Sequence, residues 1–75
     1  MEYYRDWDND SSVLAYELGA NFIIIQFKTG RWKFYKYTDF SCGSFNIAEM
    51  KRLAVAGDGL NEYIVRNKIA YESKW

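Results

Sequence analysis

Several residue types that occur in most proteins are absent from this chain or occur only once. The chain has no histidine, no proline and one cysteine, Cys42. Without an imidazole there is no histidine base, no histidine-containing catalytic triad and no histidine metal ligand. One cysteine builds neither a thiolate zinc site nor an intramolecular disulfide. We therefore expect a protein that is not an enzyme, with no catalytic residues, no metal and no cofactor.

Long apolar runs are also missing. The longest aliphatic and aromatic run spans residues 22–25, whereas a membrane helix needs about 20 apolar residues. No cleavable apolar leader precedes the first polar residues, and the one cysteine fits a reducing compartment. These features predict a cytoplasmic protein with no membrane partner, in the host cytoplasm if a phage encodes the chain.

Aromatic residues, by contrast, are abundant. Three tryptophans, seven tyrosines and five phenylalanines occur in 75 residues, which indicates a folded domain rather than a disordered tail. A domain this small has too little interior to bury so many large side chains. Some should therefore lie at the surface as candidates for an interface, and a homodimer is one way to cover them.

The charges cancel overall but are segregated along the chain. Ten basic and ten acidic residues give no net charge, so the bulk attraction typical of many nucleic-acid binders is absent. Residues 1–20 carry five acids against one base, and residues 21–40 carry four bases against one acid. The basic cluster over residues 21–40 is either an ordinary solvated surface that keeps the protein soluble or a basic patch that binds a partner.

Residues 1–11 are predicted to form an acidic aromatic arm, followed by a single domain over 12–75. The arm shows no sustained period, and its aromatic residues Tyr3, Tyr4 and Trp7 are candidates for docking. Its alternating carboxylates, Asp6, Asp8 and Asp10, resemble part of a calcium loop but lack that loop's glycine and distal glutamate. We interpret them as a solvated acidic surface.

Three strands are predicted over residues 12–18, 22–28 and 31–37. The first ends at a small-residue turn over 19–21, and Thr29-Gly30 supplies a tight hairpin between the other two. A two-residue turn pairs Phe27 with Trp32, Ile25 with Phe34 and Ile23 with Lys36 on the face toward the core. The opposite face then carries the basic and aromatic residues Lys28, Arg31, Lys33, Tyr35 and Tyr37.

Two short helices are predicted to follow. Asn46 and Glu49 fit a capping box, and Phe45 with Met50 fits a hydrophobic staple. Gly57 is the expected end of the first helix, and Asp58 is the expected cap of the second. The apolar stripes are Ile47, Met50, Leu53 and Ala54, then Leu60, Tyr63 and Ile64, and Glu62 with Arg66 is an expected surface ion pair.

These elements predict an α+β fold: a three-stranded antiparallel β-meander packed against two short C-terminal helices. The closing residues Tyr71 and Trp75 are either an extended strap over the core or a loose end. Ser41, Cys42 and Ser44 are interpreted as the turn that leads into the first helix, since no nearby base would activate them as nucleophiles.

The chain resembles the KTSC domain, a small module named from the C-terminus of some lysyl-tRNA synthetases and also found as stand-alone bacterial and phage proteins. The resemblance covers roughly residues 12–71. It is carried by Phe27, by the turn Lys28-Thr29-Gly30, by Tyr35-Lys36-Tyr37 and by residues 56–64. Tyr35 and Tyr37 match the family's Tyr-x-Tyr, whereas residues 31–34 are longer than in the family pattern. The resemblance implies an RNA-binding role that has only been suggested for that family.

Two hypotheses about function follow. In the first, the domain is a protein-interaction module, of the kind a phage or mobile element uses to inhibit a host-defence or nucleoprotein complex. Its contact residues would be Tyr3, Tyr4, Asp6, Trp7, Asp8 and Asp10, whose carboxylates suit an arginine-rich channel. In the second, the domain binds single-stranded RNA, with Tyr35 and Tyr37 stacking on bases and Lys28, Arg31 and Lys33 contacting phosphates. The alternative for these two tyrosines is that they pack under the helices or against a second subunit.

Overall fold

A five-stranded antiparallel sheet and three helices make up the α+β fold of the computed structural model, which describes residues 1–7, 9 and 11–75. The strands are β1 (Glu2–Tyr3), β2 (Val13–Leu18), β3 (Phe22–Phe27), β4 (Phe34–Thr38) and β5 (Ser73–Lys74). The helices are α1 (Asp39–Cys42), α2 (Ser44–Ala56) and α3 (Leu60–Arg66), and all three lie between β4 and β5 in the chain.

The strands are arranged in chain order, β1-β2-β3-β4-β5, and every neighbouring pair is antiparallel. The three predicted strands are therefore present as β2, β3 and β4, but the sheet is wider than the three-stranded meander we predicted. Both additional strands are two residues long, and each takes an edge that the central meander leaves unpaired.

The predicted register between β3 and β4 is wrong by one residue. Ile25 pairs with Tyr35 and Ile23 with Tyr37, not with Phe34 and Lys36. The connection spans residues 28–33 rather than the Thr29-Gly30 pair, and the Phe27 N–H donates to the Lys33 carbonyl across its base at 2.7 Å. Because side chains alternate along a strand, this shift moves Tyr35 and Tyr37 onto the core face and Phe34 onto the opposite one.

The helix boundaries correct several sequence predictions. α2 begins after Gly43, so Asn46 lies inside the helix and does not cap it. The capping box is formed instead by Thr38 and Ser41 at α1, a helix that we did not predict. Gly57 ends α2 in the left-handed conformation as predicted, whereas α3 is preceded by Gly59 rather than capped by Asp58.

The core lies between one face of the sheet and the helices α2 and α3. Its apolar cluster consists of Tyr4, Val13, Tyr16, Ile23, Ile25, Tyr37, Ile47, Met50, Ala54, Leu60 and Ile64. Three residues of the predicted α2 stripe and two of the predicted α3 face are in this cluster. The predicted Glu62–Arg66 ion pair is present on the surface at 2.6 Å.

The first and last strands both pair with the central meander. β1 pairs with β2, and Tyr4 enters the core, where its hydroxyl oxygen accepts a hydrogen bond from the Leu60 N–H at 3.2 Å. At the other end, β5 pairs with β4, so the closing residues extend the sheet rather than forming a loose end. No helix within the described residues is long and apolar enough to cross a membrane.

Candidate protein interface

The residues predicted to bind RNA do not share one exposed face. Tyr37 is 2% exposed, and burial raises the pKa of its hydroxyl far above the ordinary value. Tyr35 is half-buried between Phe27 and Tyr71, with edge-on ring contacts at 5.2 and 5.0 Å. Base stacking needs an accessible ring face, and Tyr37 offers none.

The three predicted phosphate contacts lie in or beside the 28–33 connection, away from a common strand face. Lys28 pairs with Asp6 at 3.3 Å, and the Arg31 guanidinium lies 5.4 Å from the centre of the Trp32 ring. Lys33 is exposed. Arg31 lines one open pocket with Tyr35 and Tyr37, whereas Lys28 and Lys33 are not part of that lining.

The N-terminal residues are divided between the interior and the surface. Tyr4 belongs to the core and is only 7% exposed. Tyr3, its neighbour in the chain, is exposed on the opposite side of the sheet because it pairs with Ala15, which is adjacent to the core residue Tyr16. Of the predicted docking aromatics, Trp7 remains beside the helices.

Trp7 is fixed in place although most of its surface is free. Its indole N–H donates to the Ala56 carbonyl at 2.8 Å, and its backbone N–H donates to the Gly57 carbonyl at 3.2 Å. Trp7 is nevertheless 66% exposed. A large aromatic ring held in one position loses little conformational entropy when a partner covers it.

The glycine at position 57 makes this arrangement possible. Its φ of 75° lies in the left-handed region, and a Cβ there would approach the Arg5 Cβ to 2.7 Å and the Trp7 Nε1 to 3.2 Å. The sequence prediction recognised Gly57 as the end of a helix. It did not anticipate that the N-terminal segment packs on this glycine.

Asp6 organises the loop that follows Trp7. Both of its carboxylate oxygens lie 3.2 Å from the Ser11 backbone N–H, and one also pairs with Lys28. These contacts give Asp6 a structural role. Asp8 and Asp10, the other two carboxylates of the predicted acidic surface, lie outside the described residues.

A shallow acidic groove of about 570 Å³ lies next to this segment. Its lining includes Tyr4, Asp6, Asp58, Glu62 and Arg66, of which Arg66 is paired with Glu62 at 2.6 Å. We call this surface, together with Trp7, the N-terminal surface. Its fixed aromatic ring and its carboxylates favour a partner segment that carries positive charge.

The sequence analysis missed two further exposed aromatics at the corner between α1 and α2. Phe40 is 94% exposed and Phe45 is 78% exposed. We predicted that Phe45 would pack on Met50 as a staple, and this is wrong because Met50 is fully buried while Phe45 points to solvent. Phe40 belongs to α1, which was not predicted, and Phe45 to the first turn of α2, which begins earlier than predicted.

The small polar residues before α2 serve local structure. The Ser41 N–H donates to the Thr38 Oγ1 at 3.1 Å, and the Thr38 N–H donates to the Ser41 Oγ at 3.0 Å. Partial burial raises the pKa of the Cys42 thiol, and Asp39 raises it further, against an opposing hydrogen bond from Ser41. A raised thiol pKa disfavours the nucleophilic thiolate. Within the described residues, no three histidine, cysteine or acidic side chains group closely enough to hold a metal.

Comparison of the chain with protein-family models, curated proteins and solved structures found no match. The resemblance to the KTSC domain therefore stays a prediction.

Proposed function

We propose that the protein is a non-enzymatic protein-binding module that uses its N-terminal surface to hold a basic segment of a partner. The observation that carries this proposal is that Trp7 is held in a fixed position while most of its surface is exposed. Its indole N–H is bonded to Ala56, yet the residue is 66% exposed. Interface hot spots are enriched in tryptophan, and a pre-positioned ring is suited to that role.

The charge of the surface selects the kind of partner. Asp58 and Glu62 line the groove beside the anchored segment, and both residues are exposed. An arginine or lysine side chain entering the groove would meet the Asp58 carboxylate and would share Glu62 with Arg66, whereas the same carboxylates would repel a phosphate backbone. A basic protein segment therefore fits better than RNA.

Arginine-rich channels that normally hold nucleic acid present such segments. We infer that the partner is a nucleoprotein complex, and that the protein acts by occupying a surface meant for nucleic acid. An inhibitor of host defence encoded by a phage or mobile element would work in this way.

The test is a pull-down of bacterial lysate with the tagged protein, carried out with and without nuclease. We expect a partner that is retained after nuclease treatment. Trp7→Ala should weaken its capture by about tenfold or more, the typical effect at a hot spot. Asp58→Lys should weaken capture less, by a few-fold, and this loss should shrink at high salt.

Phe45→Ala is the matched control, because it also removes an exposed aromatic ring but lies at the other end of α2. It should leave capture unchanged. Equal loss in Phe45→Ala and Trp7→Ala, or no loss in either, would contradict the proposal. Partners that disappear with nuclease would point instead to RNA binding.

A further inference from the structure

The face of the sheet that points away from the helices is unusually well suited to a second copy of itself. Its residues alternate along the strands with core residues such as Ile23, Ile25 and Tyr37. The core residues Ile23 and Ile25 are fully buried, whereas the alternating residues Ile24, Phe34 and Lys36 keep part of their surface exposed. We call this side of the sheet the open face.

The strand register arranges the open face in rows that run across the sheet. Directly paired residues lie on the same side of a sheet. One row is Tyr3, Ala15, Gln26, Phe34 and Trp75, with Phe34 and Trp75 exchanging backbone hydrogen bonds of 2.9 Å and stacking at 5.7 Å. The next row is Glu17, Ile24, Lys36 and Ser73.

A third row passes through Phe22, which pairs with Thr38. The Phe22 ring lies over Gly19, where an added Cβ would be 2.0 Å from the ring. The Lys36 ammonium lies 5.0 Å from the centre of the same ring. These contacts confirm that Phe22 and Lys36 occupy one side of the sheet.

We propose that two copies of the protein pack through their open faces around a two-fold axis parallel to β3. β3 is the central strand of five, so this axis would superimpose each half of one sheet on the opposite half of the other. β2 of one protomer would lie over β4 of its partner, and β1 over β5. Such an interface is isologous, with every cross contact made twice.

This arrangement places opposite charges together. Glu17 and Lys36 flank Ile24 in one row, on the two strands next to the axis. Each Glu17 would therefore face Lys36 of the other copy, while Ile24 meets its own equivalent. Within the described residues of one protomer, neither Glu17 nor Lys36 forms an ion pair, so both charges are available to the dimer.

Side-chain size is complementary in the same way. Ala15 on β2, which is only 3% exposed in the monomer, would lie at the level of Phe34 on β4, a low position on one face against a large ring on the other. Tyr3 at one edge would lie opposite Trp75 at the other. A large ring opposite a small side chain allows two faces to interdigitate, as inward-facing residues do in packed sheets.

The twist of real sheets does not destroy this match. Packed sheets cross at about 30°, and a residue one strand spacing, about 4.8 Å, from the axis then moves by only about 2–3 Å along the interface. A glutamate and a lysine are long enough to absorb that displacement. The face is small, about 24 Å across five strands, so we expect a weak dimer with a Kd of about 10–100 μM.

The decisive experiment uses charge exchange, measured by sedimentation equilibrium from about 5 to about 300 μM, a range that brackets the expected Kd. The natural protein should dimerise. Glu17→Lys alone and Lys36→Glu alone should each weaken the dimer by at least about tenfold, because each opposes two pairs of like charges. An equimolar mixture of the two variants should recover a heterodimer, since all contacts are then again of opposite sign.

A mixture of isotope-labelled and unlabelled natural protein supplies an independent measurement that needs no variant. Zero-length carbodiimide should join Glu17 of one copy to Lys36 of the other, giving a cross-linked peptide pair with one labelled and one unlabelled half. A natural protein that stays monomeric throughout the range would overturn the proposal. So would a dimer that lacks this mixed cross-link, or variants that show no preference for one another.

This inference does not depend on the N-terminal surface, which uses Trp7 and the acidic groove rather than the open face. Trp7→Ala should leave the dimer unchanged, and Glu17→Lys should leave partner capture unchanged. Failure of one proposal is therefore distinguishable from failure of the other.

Discussion

The two faces of this sheet are built from the same strands, but only one of them is closed by helices. Along β3, Ile23 and Ile25 are fully buried against α2, while Ile24 and Gln26 between them keep partial contact with solvent. Similar side chains therefore have different roles on the two faces. The covered face stabilises the fold, and the open face is available for association.

The polar groups differ between the faces as well. On the covered face, the Tyr4 hydroxyl oxygen accepts a hydrogen bond from the Leu60 N–H. No buried side-chain nitrogen or oxygen within the described residues lacks a hydrogen-bond partner. On the open face, Glu17 and Lys36 carry charges that water satisfies in the monomer. This difference explains how one small domain tolerates so many aromatic residues: part of them form the core, and the rest remain on surfaces that suit partners.

The sharpest way to test the comparison is to truncate two adjacent isoleucines of β3 that point to opposite faces. Ile25→Ala should lower the free energy of unfolding by about 2–5 kcal/mol, since it leaves a cavity in a packed core. Ile24→Ala should lower it by about 1 kcal/mol, because solvent or a weak dimer contact replaces only part of its environment. Urea unfolding at a low, fixed protein concentration measures both. Equal losses would show that the two faces are not different in packing.

A second test concerns the N-terminal segment, which closes the covered face through Tyr4. Gly57→Ala should destabilise the protein by about 1–3 kcal/mol, because it adds a Cβ at positive φ where only glycine is relaxed. Here the Cβ also meets Arg5, so the segment should detach and Trp7 fluorescence should shift toward that of a fully solvated indole.

Gly43→Ala is the control for backbone strain alone. Gly43 also has a positive φ, of 86°, but nothing lies within 4 Å of an added Cβ. This variant should also be destabilised, by about 1–3 kcal/mol, because a φ of 86° with a ψ of 152° is a conformation that only glycine adopts readily, but Trp7 fluorescence should be unchanged. If the two variants behave alike, Gly57 has no special contact with the segment.

The smallest effect is expected at Cys42, which lies where α1 meets the covered face. Burial raises the pKa of its thiol, so at a given pH less of the reactive thiolate is present than in an unfolded chain. Alkylation by iodoacetamide at about pH 8 should therefore be several-fold slower in the folded protein than in urea. An equal rate in both would mean that this end of the covered face is open to solvent.

Local sequence patterns identified much of the fold. Alternation and β-branched residues located β2, β3 and β4 to within a few residues, and the apolar stripes located the buried residues of α2 and α3. Gly57 was correctly predicted as the end of α2, because few residues other than glycine adopt its left-handed conformation. The Glu62–Arg66 ion pair was correctly predicted because residues four apart lie next to each other on a helix surface.

The candidate site was much harder to predict. Trp7 is exposed, as a docking residue must be, but its hydrogen-bond partner Ala56 is 49 positions away in the chain. Tyr4 was placed with it on the surface and is instead in the core. Phe40 and Phe45 were missed because Phe40 belongs to a short helix that was not predicted and Phe45 to the first turn of α2, which begins earlier than predicted.

The sequence by itself therefore determined the α+β class, the central strands and the helix stripes, since these depend on interactions between residues close in the chain. The tertiary structure alone decided the register of β3 and β4, the two short edge strands and the composition of each face. The physical reason is that a sheet fixes its register through pairing between distant residues and through the length of the connection. A difference of one residue in that register moved Tyr35 and Tyr37 to the core and left Phe34 and Lys36 on the open face.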